Sequence, residues 1–128
     1  MRLLLDTHLL LGAAARPEAL SREATELLLE ARNELWYSVV SLWEVVIKSG
    51  LGRPDFAVDA RVLRSGLRAA GYQELPIEAE HVLPVAGLPP HHSDPFDRLL
   101  VAQASAEGMT LLTHDRAVAS YGQPVLLV

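Results

Sequence analysis

Arg2-Leu3-Leu4-Leu5-Asp6 runs three consecutive leucines into a carboxylate. A short, unbroken apolar run is what a strand buried on both faces requires, as in a parallel sheet with helices on either side. A charge directly after it is costly unless hydrogen-bonded, paired or bound to a metal. Capping the next helix would satisfy Asp6 equally well, and at this position alone the two readings stand level.

Outward from that strand, the spacing predicts a helix over His8 to Ala15 and a second one after Ser21, a good N-cap, in which Ala24, Leu27, Leu28 and Ala31 recur at helical intervals. Leu35 to Val40, rich in aromatic and β-branched residues, reads as the second strand, and Ser41 as the start of a helix to about Ser49. Val58 to Ala70 is amphipathic, with Arg61, Arg64 and Arg68 along its outer side. A third strand is expected at Gln73 to Leu75, then a short helix from Glu78 and a polar loop over Leu88 to Ser93. Asp94-Pro95 is an N-cap and first-turn pair for a helix to Ala106, which Gly108 is placed to end. Thr110 to Leu112 and Val125 to Val128 complete the strands. Alternating short strands and helices predict a mainly parallel sheet of four or five strands in a three-layer α/β/α domain. The 128 residues read as one domain, 1–128, with no repeat, linker or low-complexity tract.

Composition narrows the chemistry. With no cysteine, disulfides, thiolate metal sites and cysteine nucleophiles are excluded, so any metal must be held by oxygen or imidazole. No apolar stretch approaches the roughly 20 residues that span a bilayer, and the amino terminus reads as a strand instead of a basic leader, so a cytoplasmic protein is expected. The formal net charge of -5 argues against a broad basic surface for nucleic acid. That objection weakens if carboxylates gather at one site, because bound divalent cations reverse the field a phosphate meets. Lys48 is the only lysine.

Four acids fall at strand ends or helix starts. Besides Asp6, Glu44 follows Ser41 by three residues and fits a capping box. Asp97 lies in the first turn after Asp94, where the helix dipole favours both. Asp115 follows the fourth strand and reads as a cap for the turn at Arg116. Each has this plain structural reading. Yet strand ends and helix starts share one edge of a parallel sheet, the edge where ligands bind in such folds. Several carboxylates converging there would repel one another unless a divalent cation offset their charge. All-oxygen donors suit Mg²⁺ or Mn²⁺, whose usual substrates are phosphate esters.

Leu5-Asp6-Thr7-His8-Leu9-Leu10-Leu11, Ser41-Leu42-Trp43-Glu44, His92-Ser93-Asp94-Pro95-Phe96-Asp97-Arg98-Leu99-Leu100-Val101-Ala102-Gln103-Ala104 and Leu112-Thr113-His114-Asp115 together resemble PIN-domain proteins of the VapC toxin type. Each motif is weak alone; four in order across nearly the whole chain make a strong joint signal. The resemblance implies an endoribonuclease that hydrolyses RNA phosphodiesters with Mg²⁺, Mn²⁺ being a substitute. It assigns the acidic metal-binding positions to Asp6, Glu44, Asp97 and Asp115, with Asp94 a candidate fifth. Asp6, Glu44 and Asp97 would hold the principal ion, and Asp115 would help position a second ion or the water. It also implies a homodimer and a small cognate antitoxin that blocks the acidic pocket. Thr7 and Thr113 are placed to orient carboxylates or water.

Other features have plainer explanations. His91 and His92, being adjacent, would diverge along an extended loop and face solvent, which disfavours a zinc site. The Arg61, Arg64 and Arg68 stripe reads as a solvated face before it reads as an RNA contact. His8 and His114 lie near the acids without being needed. Leu42, Trp43, Leu51 and Phe56 suit a core or loop anchor at least as well as a partner groove. Three rival functions fit the sequence less well. A receiver-like signalling module would carry a lysine after a late strand, and here there is none. A catalytically inactive interaction module would have lost acids that this chain retains. A haloacid-dehalogenase-type phosphatase would place an aspartate at position 8, which is His8.

Overall fold

The computed structural model describes residues 1–128. Five parallel strands, β1 (Arg2–Leu5), β2 (Glu34–Ser38), β3 (Gln73–Leu75), β4 (Thr110–Thr113) and β5 (Val125–Leu127), form one sheet in the order β3-β2-β1-β4-β5. Seven helices accompany them: α1 (Thr7–Ala15), α2 (Arg22–Leu29), α3 (Val39–Gly50), α4 (Ala60–Ala69), α5 (Ala79–Val82), α6 (Pro95–Glu107) and α7 (Arg116–Ala119). The fold is the expected α/β arrangement, and the sheet has five strands.

Alternation along β1 explains the two cores. Side chains of successive strand residues point to opposite faces. Leu3 and Leu5 therefore join Leu112, Leu9 and Leu10 of α1, Ala24 of α2 and Leu63 and Leu67 of α4 on one face. Leu4 joins Leu111, Leu99, Leu100 and Ala104 of α6 and Val118 of α7 on the other. All three β1 leucines are fully buried, as a central strand covered on both sides demands. α3 contributes Val40 to one core and Val45 to the other.

Most helix ends lie where local chemistry puts them. Ser21 accepts from the Ala24 amide, Asp94 from those of Phe96 and Asp97, and Gly108 ends α6 at φ 66°, the left-handed conformation glycine adopts most easily. One boundary differs and matters. Ser38, not Ser41, caps α3, with its hydroxyl accepting from the Val40 amide at 2.9 Å. Val39 and Val40 are thus helical despite their β-branched side chains, because Ser38 is fixed at the end of β2 by a 2.5 Å hydrogen bond to Gln103 of α6. Ser41 instead accepts from the Thr7 hydroxyl at 2.9 Å. Glu44 therefore lies in the second turn of α3, beyond reach of a capping box.

The strand order sets where a ligand can sit. From β1 the chain builds outward through β2 to β3, then crosses to β4 on the far side of β1. The order reverses between β1 and β4, and in open α/β sheets the crevice beyond the carboxyl ends at such a switch point is the binding site. Asp6 follows β1 directly, and Asp115 follows β4 with only His114 between.

Candidate metal centre

Asp6 is held at two points. Its Oδ1 accepts from the Leu9 amide at 2.9 Å, capping α1, and its Oδ2 accepts from the Thr113 hydroxyl at 2.5 Å. Capping and site position, weighed as rivals for this residue, coexist. It is 4% exposed, and burial pushes its carboxyl above the ordinary aspartate range despite those two hydrogen bonds. Thr113 also accepts from the Asp115 amide at 3.0 Å, so one hydroxyl ties the ends of β1 and β4 together. Asp115 caps α7 through Oδ1, on the Ala117 amide, while its Oδ2 lies 3.9 Å from Nε2 of His92.

Asp97 stands among the others. Burial, followed by the charges of Asp94, Asp6 and Glu44, pushes its carboxyl up to about 6, against a lowering hydrogen bond from His92 at 2.8 Å. His92, Asp97 and Asp115 offer ligand atoms within 4.8 Å of one another. Of the acids expected at this edge, Asp97 and Asp115 meet in that group, while Asp6 and Glu44 lie outside it and act on Asp97 through their charge.

Glu44, projecting from α3, is 1% exposed, and its two oxygens differ. Oε2 accepts from Nζ of Lys48 at 2.5 Å; Oε1 has no hydrogen-bond partner. Only one other buried side-chain polar atom, Trp36 Nε1, is in that position. A buried carboxylate oxygen without a donor costs several kcal/mol in general terms and calls for an explanation. A hard cation among oxygen donors supplies one.

Two participants were missed in the sequence. Lys48 bridges Glu44 and Asp94, and its i,i+4 spacing from Glu44 on one helix face was a readable signal. His92 is the other. The expectation of a solvent-facing side chain is corrected: His91 does diverge, packing edge-on against Tyr121, but His92 turns inward onto Asp97. Nothing local encodes that turn. Arg98 makes it, donating to the backbone carbonyls of Val85, Leu88 and Pro89 and to the Tyr121 hydroxyl, at 2.9 to 3.3 Å. Arg98→Ala would strand these carbonyls and is expected to cost about 2 kcal/mol, read as a lower denaturation midpoint, and to speed amide exchange across residues 85–92.

The remaining candidates fall outside this cluster. Thr7 is spent on Ser41. Arg64 pairs with Glu74 at 2.6 Å, so one of the three arginines in the α4 stripe serves the fold. His8 lies 3.4 Å from Asp55, and His114 meets the Val128 carbonyl.

The PIN-domain family profile matches residues 3–123. The chain belongs to the PIN-domain family. PIN domains are in general nucleases that use divalent metal, and a carboxylate and imidazole group is present in this one. Solved structures share the PIN fold along nearly all of the chain. VapBC2 from Rickettsia felis bound to a DNA fragment from their promoter is 18% identical, with a TM-score of 0.68 over 100% of this chain and 98% of that one. VapBC-1 from nontypeable Haemophilus influenzae gives 17%, 0.65, 100% and 97%, and a toxin–antitoxin complex from Klebsiella pneumoniae 18%, 0.59, 96% and 94%. No curated protein is significantly similar in sequence. No helix is long and apolar enough to cross a membrane.

Proposed function

We propose that this PIN domain, taken as the single unit 1–128, is a Mg²⁺-dependent endoribonuclease and the toxin of a toxin–antitoxin pair. Mn²⁺ would substitute for Mg²⁺. The observation that carries the reading is the unpartnered, buried Oε1 of Glu44, whose charge, with those of Asp94 and Asp6, opposes ionisation of Asp97. Asp6, Glu44 and Asp97 would hold the principal ion, and Asp115, more exposed, would face the second ion or the attacking water. A bound divalent ion supplies a more acidic water and stabilises charge on the attacked phosphate. The chain's own part is placement. Thr113 and the Leu9 amide fix the Asp6 carboxylate, and His92 fixes Asp97. Together with bound cations this arrangement meets the objection raised by the net charge, since the local field at the site changes sign.

The toxin–antitoxin assignment draws on the VapBC complexes that share the fold. It brings an RNA substrate, a cognate small antitoxin, a homodimer and a cytoplasmic setting with it. The test is cleavage of a mixed RNA pool by the antitoxin-free protein with Mg²⁺ or Mn²⁺, with excess EDTA, and after metal is restored. Cleavage that EDTA abolishes and metal restores is expected. Cleavage indifferent to EDTA would sink the metal mechanism, and no cleavage of any pool would favour an inactive PIN-fold interaction module.

A further inference from the structure

Lys48 lies between two carboxylates that do different jobs. Its Nζ is 2.5 Å from Oε2 of Glu44 and 3.2 Å from Oδ2 of Asp94, and its side chain is 13% exposed. Two rings confine it further, with Nζ 4.9 Å from the centroid of Phe56 and 5.4 Å from that of Phe96. Such contacts favour a desolvated ammonium and narrow the space it can occupy. Asp94 in turn is committed: Oδ1 accepts from the Phe96 and Asp97 amides at the start of α6, leaving Oδ2 for the lysine.

These contacts form a chain from the start of α6 to the candidate centre. Asp94 anchors Lys48, Lys48 holds one oxygen of Glu44, and the other oxygen is left buried and unpartnered. We infer that Lys48 is a positioning residue for metal binding, fixing the Glu44 carboxylate so that Oε1 is the oxygen presented to a divalent cation, and that Asp94 serves as the anchor of Lys48 and not as a ligand. The inference rests on the nuclease reading, since it concerns the same centre. Lys48 is nonetheless assigned through Glu44 and touches no reacting atom.

The sign of one measurement separates this role from the simpler one. If Lys48 only neutralised the acidic cluster, removing its charge would make the site more negative and tighten cation binding. If it positions Glu44, removing it loosens a ligand, and losses of an outer-sphere partner of this kind run to about 10- to 100-fold in affinity. Calorimetric titration of Mn²⁺ into metal-free protein, with no RNA present, reads this directly. Lys48→Met, close in length and uncharged, is expected to bind about tenfold more weakly than wild type. Asp94→Asn retains the cap, because asparagine is as good there as aspartate, and is expected to weaken binding by less. The double variant should be no worse than Lys48→Met alone, since both changes break one chain.

Should Lys48→Met fail to fold, Asp94→Asn carries the test by itself: unchanged or tighter binding would overturn the role of the pair. Equal or tighter binding by folded Lys48→Met would overturn the inference and leave the nuclease reading intact. A loss in Asp94→Asn exceeding that in Lys48→Met would make Asp94 a ligand. Wild type that binds no Mn²⁺ would overturn both readings together.

Discussion

Asp6→Asn is expected to lower metal-dependent RNA cleavage by at least about 1000-fold while raising the melting temperature of the metal-free protein. The two directions have one cause. Asp6 is an almost fully buried carboxylate whose ionised form is disfavoured by its surroundings. An asparagine keeps the acceptor that caps α1 at the Leu9 amide and removes the buried charge. Its amide nitrogen would face Thr113, whose hydroxyl can turn from donor to acceptor. The structure thus tolerates the change, and a gain of a few degrees follows from about 1 kcal/mol. The centre does not tolerate it. Losing an anionic ligand removes about 4 kcal/mol of transition-state stabilisation, which is three decades in rate. Cleavage assays beside thermal melts of the same preparation make the check. Near-wild-type cleavage would remove Asp6 from the metal set. Loss of cleavage together with loss of fold would mean that the fold itself needs the Asp6 carboxylate, contrary to the expected gain in melting temperature.

How much of this was legible before the structure depends on whether the signal is local. The β1 leucines, the Ser21 and Asp94 caps and Gly108 are each decided by neighbours within a few residues, and each lies where the sequence put it. Local reading misplaced the start of α3 because Ser38 and Ser41 are equally good caps and two valines separate them. The tie was broken by Gln103, 65 residues away. That shift of one turn changes the meaning of Glu44, from a residue occupied with its own helix terminus to a buried acid with a free oxygen. His92 shows the opposite kind of blindness. Its loop contains no periodic signal, and its inward turn comes from Arg98 and Tyr121, which hold the backbone around it. Lys48 alone was readable and passed over: a lysine four residues after a glutamate, and the only lysine in the chain.

Magnesium is expected to stabilise the protein far more at pH 7.5 than at pH 5. In the metal-free protein the Asp97 carboxyl titrates at about 6, against an ordinary value of 3.8, because burial and the charges of Asp94, Asp6 and Glu44 oppose its ionisation. The folded state therefore binds more protons than the unfolded state between those values. Stability from this group is greatest below pH 4 and falls as pH rises toward 6, the reverse of a salt-bridged aspartate. Asp6, shifted the same way, adds to the slope. A cation bound to the ionised cluster removes the opposition and offsets this decline. At pH 7.5, Mg²⁺ at a hundred times its Kd contributes about 2.7 kcal/mol, or roughly 10 °C for a domain of this size. At pH 5 only about a tenth of Asp97 is ionised, so the same Mg²⁺ concentration acts as roughly ten times Kd and the shift falls to about half or less. Melting curves with and without Mg²⁺ at the two pH values measure both effects. Equal shifts would mean that Asp97 does not bind the ion. Asp97→Asn supplies the complementary result: its metal-free stability should lose most of the decline between pH 4 and 6, because the proton that drives it is gone.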